Sequence, residues 1–122
     1  MSNNITVERD TEDFFVISGE IEGLRQDSEG YKWIGAKTGD YIHVPSNARH
    51  AWRNVSNKPT LVYIITTKNM GHFFQETGRL ETNTSQPVTS EDLARFTEIS
   101  TRYGYWNASS EENASVGIRM GF

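Results

Sequence analysis

Short apolar runs separated by turn residues dominate the first half of the chain. Residues 14–17 are dense in aromatic and β-branched side chains, which predicts a strand buried on both faces. Residues 20–25 alternate polar and apolar side chains, a pattern typical of a half-buried strand. Further β-prone runs follow the same spacing, and we expect the last of them to be a central strand: 5–7, 31–36, 41–44, 50–55 and 61–66. The pattern predicts an all-β fold, an antiparallel β-sandwich or barrel, through residue 67.

The pattern becomes helical after residue 67. Residues 72–77, closed by Gly78, predict a helix of one or two turns. A second helix is predicted to begin at Thr89, where a hydroxyl cap precedes Glu91 and Asp92 in the first turn. Its apolar face is marked by side chains at three- and four-residue spacing, before Gly104 ends the helix: Leu93, Phe96, Ile99 and Tyr103.

These patterns divide the chain into three parts. Residues 1–68 form the predicted β-sandwich, and residues 69–104 form a helical segment that we expect to pack on the sheets or on a partner subunit. Residues 105–122 form a polar tail, in which we expect 107–116 to be flexible and 116–122 to add one apolar contact. A chain of 122 residues has enough length for one hydrophobic core and no more.

Composition narrows the classes of partner. The net charge is −4 without a basic block, which argues against nucleic acid and against an anionic membrane surface. There is no cysteine, so disulfide bonds and thiolate metal sites are excluded. No run approaches the roughly 20 apolar residues of a membrane span, and residues 1–4 show no signal-peptide core. We therefore expect a cytoplasmic protein.

A chain reversal between residues 39 and 54 carries the strongest functional signal. Pro45 ends the strand before it, because proline cannot donate a hydrogen bond to a sheet. Asn47 tolerates a left-handed backbone, so the chain can turn back before the next strand. His50 begins that strand, and a histidine placed there can point into the mouth of a barrel or sandwich. Its near-neutral pKa suits an acid or a base, whereas we expect structural or surface roles for His43 and His72.

Side chains at period two around His50 and Glu12 suggest a pocket wall. We expect the wall to include Phe14, Trp33, Tyr41, Trp52, Asn54 and Tyr63. Rings around a histidine and a glutamate suit a flat, partly apolar molecule, such as an aromatic or polyketide-like ligand. The alternative is that these rings are simply the core of a small sandwich.

The stretch Gly39, Pro45, Asn47, His50 and Asn54 resembles the second motif of the cupin superfamily. That motif is Gly, five residues, Pro-x-Gly, two residues, His, three residues, Asn, and here Asn47 replaces the second Gly. Residues 12–19 resemble the second half of the first cupin motif, and the later segments are similar to small quercetin-dioxygenase-like cupins. The resemblance implies a jelly-roll barrel and an enzyme of the dioxygenase or cyclase/isomerase type, with Glu12 and His50 as catalytic residues.

The resemblance also implies a metal site, and here the chain departs from the family. Metal-binding cupins begin the first motif with His-x-His, separated from the Glu by three or four residues. With neither of these two spacings does this sequence have a histidine at those positions. Glu12 and His50 carry over as ligands, and Glu8 can supply a third oxygen. The set Glu8, Glu12 and His50 could hold iron, manganese, nickel or zinc weakly. The alternative is a metal-free pocket that keeps the polar residues.

Family members carry more strands before the first motif, which here begins near Met1. We therefore expect either a truncated chain or a sheet edge completed by a second subunit, in a homodimer that exchanges strands. Three functions stay open: a small-molecule enzyme, a non-catalytic ligand-binding pocket, and a degenerate cupin that acts as a dimerisation module.

Overall fold

The computed structural model describes residues 4–78 and 89–119. Its strands are β1 (Thr6–Val7), β2 (Glu12–Ser18), β3 (Glu20–Asp27), β4 (Gly30–Lys37), β5 (Tyr41–Val44), β6 (His50–Arg53), β7 (Leu61–Thr66) and β8 (Trp106–Asn107). Its helices are α1 (Lys68–Thr77), α2 (Ser90–Arg102) and α3 (Ser110–Ser115).

The strands form two sheets that face each other. The larger has the order β4-β3-β6-β1-β8 and the smaller the order β5-β2-β7, and the strand pairs in both are antiparallel. The ring centroids of Phe14 on β2 and Trp52 on β6 lie 4.4 Å apart, which joins the two layers. The predicted antiparallel sandwich is confirmed, but the described residues form two separate sheets, so the closed jelly-roll barrel stays a prediction.

Strand β2 differs from the prediction that it is buried on both faces. Glu12, Phe14 and Val16 are buried, whereas Phe15 between them is 38% exposed. One face of the small sheet therefore points at the large sheet and the other points outward. The dense run of aromatic and β-branched residues gave no periodicity that separates these two cases.

Strand β7 was predicted to be central and is instead an edge strand of the small sheet. It pairs with β2 alone, from Glu12 opposite Thr66 to Ser18 opposite Leu61. Its apolar side chains are largely exposed, with Tyr63 at 65% and Ile65 at 57%. High β-propensity and hydrophobicity are shared by central strands and by edge strands that present an apolar surface.

The helices build a second core. Helix α1 starts earlier than predicted, because the Thr67 side chain caps it by accepting a hydrogen bond from the Met70 N–H. Helix α2 starts as predicted, with a reciprocal capping box between Thr89 and Asp92. The core between the helices contains Met70, Phe73, Ile99 and Tyr105. No helix in the described ranges is long and apolar enough to cross a membrane.

The segment after α2 forms a strand and a short helix that lie against the large sheet, where the sequence predicts a flexible segment over residues 107–116. Strand β8 pairs with β1, and α3 follows directly. Ile118 joins Ile5, Leu24 and Ala51 in a buried cluster on the face of the large sheet that points away from the small one. The polar composition of the segment did not predict this packing, because the packing depends on the buried amide of Asn113 and the apolar side chain of Ile118 rather than on a run of apolar residues.

Candidate metal centre and adjacent pocket

The reversal before β6 is tied to the segment that follows β1. Asn47 has the left-handed φ of 64° that the sequence predicts. Its backbone N–H donates to the Glu8 carbonyl over 2.8 Å. Since Thr6 is also the register partner of His50, the turn and the β1–β6 ladder bring Glu8 and His50 together.

Three titratable side chains converge between the sheets. His50 Nε2 lies 3.3 Å from Glu8 Oε2 and 3.5 Å from Glu12 Oε1. His50 begins β6 of the large sheet and Glu8 directly follows β1 of the same sheet, whereas Glu12 lies on β2 of the small sheet. All three are buried, at 8%, 7% and 4% exposure for Glu8, His50 and Glu12. The other ring nitrogen, His50 Nδ1, lies 2.9 Å from the Ala48 carbonyl and donates to it.

The protonation of this triad (Glu8, Glu12 and His50) is shifted by its burial. Burial raises the pKa of Glu8 to about 7, and the nearby Glu12 adds to the rise, while His50 and a hydrogen bond from the Thr6 hydroxyl oppose it. Burial alone would lower the pKa of His50, but its hydrogen bond to Glu12 and the charge of Glu8 raise it overall. Without a metal, the triad therefore holds protons near neutral pH.

The donor set fits a divalent ion. One ligand atom from each triad residue can be chosen so that all three lie within 4.8 Å of one another. Two carboxylates and an imidazole suit iron, manganese or zinc. The hydrogen bond from Nδ1 to the Ala48 carbonyl leaves Nε2 to face the ion, as the outer contacts of metal-binding histidines usually do.

A pocket of about 240 Å³ lies beside the triad, and His50 forms part of its wall. Apolar side chains from both sheets line it, including Ile34, Ile42, Val44 and Trp52. Gly23 makes room for the Trp52 ring, because a Cβ at this position would lie 2.9 Å from Trp52 Cζ3. The triad histidine is therefore accessible to a small molecule between the sheets.

A family model described as "Cupin domain" matches residues 6–66, which is half of the chain. This chain belongs to the cupin family. A search of the curated proteins found no match.

Solved structures are similar to this chain over about half of its length. Drosophila melanogaster CENP-C bound to CAL1 has a TM-score of 0.50 and 16% identity, over 55% of this chain and 56% of that chain. The DMSP lyase DddQ from Ruegeria pomeroyi has a TM-score of 0.44 and 24% identity, over 54% of this chain and 31% of that chain. Hydroxypropylphosphonic acid epoxidase from S. wedmorenis has a TM-score of 0.42 and 24% identity, over 54% and 34%. This cupin thus spans about half of the CENP-C chain and about a third of the two enzymes.

The cupin pocket brings together only part of the predicted wall. Trp52 lines it, and Phe14 packs on the Trp52 ring. Trp33 points to the opposite face of the large sheet, where its indole N–H donates to the Val116 carbonyl and Arg53 stacks on its ring at 3.9 Å. The sequence placed Trp33 on a strand but gave no register to show which face it occupies.

The other three predicted wall residues also lie elsewhere. Tyr41 and Tyr63 are exposed on the outer face of the small sheet, and the Tyr41 hydroxyl donates to Asp13. Asn54 follows β6 and holds the next turn together, because its amide donates to the Lys58 carbonyl and its oxygen accepts from Ser56. His43 is exposed and pairs with Asp13, in the surface position expected for it.

Sequence reasoning missed the arginines beside the pocket. Arg25 on β3 and Arg49 just before β6 both contribute to its lining. Arg25 is the register partner of His50, so the two side chains lie on the same face of the large sheet. The alternation in residues 20–25 showed which of them share a face, but the pairing with β6 was needed to connect Arg25 with His50.

Proposed function

We propose that this cupin holds a divalent metal ion on Glu8, Glu12 and His50 and binds a small, partly apolar molecule in the adjacent pocket. The reaction class that fits best is metal-assisted chemistry on that molecule, of the dioxygenase-like or cyclase/isomerase type. Glu12 and His50 are the proposed catalytic residues, and Glu8 completes the ligand set.

One observation carries the proposal. His50 Nδ1 donates to the Ala48 carbonyl, so a neutral imidazole presents an unprotonated Nε2 to the two carboxylates at 3.3 and 3.5 Å. Three acceptor atoms facing one another in a buried space repel unless a cation or an added proton lies between them. A divalent ion satisfies all three at once, and with three protein ligands it keeps open positions for a substrate.

The protein residues have distinct tasks in this arrangement. A bound metal would act as a Lewis acid toward an oxygen of the substrate or, if redox-active, would support oxygen chemistry. Both nitrogens of His50 are used in this arrangement, Nε2 by the ion and Nδ1 by the Ala48 carbonyl, so His50 would hold the ion beside a molecule in the pocket whose wall it forms. The apolar wall around Trp52 excludes water and orients an aromatic or aliphatic body.

Metal titration tests the proposal. Chelator-stripped protein is titrated calorimetrically with Mn²⁺, Ni²⁺ and Zn²⁺, and with Fe²⁺ under anaerobic conditions. We expect one ion per chain, with affinity reduced at least tenfold in Glu8→Gln and Glu12→Gln and abolished in His50→Ala, because each variant removes a direct ligand.

His72→Ala is the matched control, since His72 is exposed on α1. Its metal affinity should equal that of the wild type. The proposal is wrong if the wild type binds none of these ions, or if the triad variants bind them as tightly as the control does.

A second role, self-association, is supported by the outer face of the small sheet. Phe15, Tyr41, Leu61, Tyr63 and Ile65 are each 38–65% exposed there. Side chains of this size bury about 150–250 Å² when fully covered, so the patch is on the order of 500 Å². A stable dimer buries about 800 Å² per partner, and the unpaired backbone edge of β7 adjoins the patch. We propose that this outer face and the β7 edge bind a second copy of the chain to form a homodimer.

A further inference from the structure

The pocket beside His50 opens into a wider depression of about 700 Å³. Five residues line both spaces and so form the mouth between them: Arg25, His43, Pro45, Ala48 and Arg49. The two arginines come from β3 and from the loop before β6, whereas His43 comes from β5 on the other sheet. The His43 side chain pairs with Asp13 on the outer face of the small sheet, so the two arginines are the charged side chains at this opening.

The charge of this mouth is opposite to that of the chain. The sequence has 16 acidic and 12 basic residues, yet no carboxylate lines either the pocket or the depression within the described part of the chain. Arg25 and Arg49 are the fully charged side chains in the two linings. Because Glu112 neutralises Arg49, Arg25 is the cation that makes this opening favour an anionic ligand over a neutral or cationic one.

The two arginines differ in how far their donors are already used. Arg49 is held by Glu112 at 2.5 Å and by the Tyr31 hydroxyl at 3.1 Å, and it stacks on Trp106 at 4.4 Å. The Arg25 side chain is 63% exposed, and its ion pair with Asp27 spans 3.9 Å, which exceeds a hydrogen bond. The guanidinium of Arg25 therefore has donors to offer a ligand, whereas Arg49 is a fixed part of the wall.

The position of Arg25 in the pocket indicates the chemical character of the anionic ligand. Arg25 and His50 are register partners on neighbouring strands and share the pocket face. The pocket wall around them is apolar, with Ile42, Val44 and Trp52. A molecule that contacts both Arg25 and the apolar pocket wall thus has one anionic end and an apolar body.

We propose that the pocket takes a small carboxylate with an apolar body, and that Arg25 binds its carboxylate at the mouth. The planar fork of a guanidinium matches the two oxygens of a carboxylate. This inference specifies the substrate class of the pocket described above, and so it rests on the proposed function. Arg25 is a specificity-determining residue in it, and it acts whether or not a metal is bound.

Benzoate and its neutral analogue benzamide are suitable probes. Their binding is measured by ligand-observed NMR titration on chelator-stripped protein and again on metal-loaded protein. We expect Arg25→Gln to weaken benzoate binding at least tenfold in both forms and to leave benzamide binding unchanged. Arg25→Lys should weaken benzoate binding less, because lysine keeps the positive charge but lacks the planar guanidinium.

Lys58→Gln is the matched control, because it removes the same charge from an exposed loop away from the mouth. It should bind benzoate as the wild type does, and thermal melts establish that the variants are folded. The inference is overturned if benzoate fails to bind the wild type, if Arg25→Gln binds it equally well, or if Lys58→Gln weakens it as much.

The measurements on chelator-stripped protein test this inference independently of the proposed metal site. Benzoate binding that depends on Arg25 in a protein that binds no metal would overturn the metal site alone. Metal binding that depends on the triad, together with benzoate binding indifferent to Arg25, would overturn this inference alone.

Discussion

Glu8 is a buried carboxylate whose charge is unfavourable for the fold in the absence of a metal. It is 8% exposed and lies beside Glu12, so its ionised form is poorly solvated and faces a second carboxylate. Burial raises its pKa from 4.5 to about 7, and the pKa of His50 is also raised. The folded state thus binds protons more tightly than the unfolded chain does.

This gives a pH dependence of stability with a definite sign. For a group whose folded pKa is raised, stability is fully present below the unfolded pKa and is lost as the pH rises through the folded pKa. We expect the unfolding free energy of metal-free protein to fall between about pH 5 and pH 8. The share of Glu8 is about 3 kcal/mol, since each pKa unit is worth about 1.4 kcal/mol. Urea unfolding in chelator at several pH values measures it.

Glu8→Gln should flatten this slope and make the metal-free protein more stable than the wild type at pH 8. Glu29→Gln, a change at an exposed turn residue, should keep the slope of the wild type. A wild-type stability that does not vary between pH 5 and pH 8 would contradict the prediction.

The sequence indicated the triad but not its surroundings. Glu12 and His50 stand at positions fixed by motif spacing. Glu8 stands upstream of Glu12, at a position where metal-binding cupins have a histidine of the first motif, so all three residues could be named in advance. The contact of Nδ1 with the Ala48 carbonyl and the pairing of Arg25 with His50 depend on a turn and on strand register. Neither is encoded in local spacing.

At the scale of elements, one buried amide attaches the C-terminal segment to the large sheet. Asn113 on α3 is 1% exposed, and its side-chain oxygen accepts from the Ile5 backbone N–H over 2.9 Å. Its amide group donates to the Asn4 side chain and to the Ser109 carbonyl. A short polar helix is thereby fixed beside β1.

Asn113→Ala should destabilise the protein by about 2 kcal/mol, because it leaves a buried N–H of Ile5 without its acceptor. Chemical denaturation measures the loss. Asn57→Ala, in an exposed loop, should change the unfolding free energy by less than about 0.5 kcal/mol. Equal effects of the two substitutions would show that Asn113 does not anchor the segment.

The elements with strong local signals were predicted well, and those defined by tertiary contacts were not. The capped start of α2 at Thr89 and the turn at Asn47 follow from side-chain chemistry within a few residues. Strand β8 and helix α3 lack apolar periodicity, and they are held by pairing with β1 and by Asn113. The edge position of β7 likewise depends on sheet order, which its composition does not reveal.

For the whole molecule, the proposed homodimer makes the outer face of the small sheet an interface. Tyr63 is 65% exposed on the edge strand β7, and we expect Tyr63→Lys to convert the dimer to a monomer, because each copy would bury a charged side chain in the interface. Sedimentation equilibrium should give about twice the chain mass of 13.9 kDa for the wild type and the chain mass for the variant.

Val55→Lys provides the comparison, since Val55 is 69% exposed in a loop outside this face. It should remain dimeric. A wild type that sediments as a monomer across the micromolar range would rule out the proposed interface.

The cover that residues 105–118 place on the large sheet also bears on where this protein can be cut. The family match ends at residue 66, yet the buried cluster of Ile5, Leu24 and Ala51 also includes Ile118. A fragment trimmed to residues 6–66 would lack both Ile5 and Ile118, would expose Leu24 and Ala51 to water and would leave one edge of β1 unpaired. The region that matches the family is thus smaller than the region that packs together. A fragment limited to the family match would be an incomplete sheet with exposed apolar side chains rather than an independently folding domain.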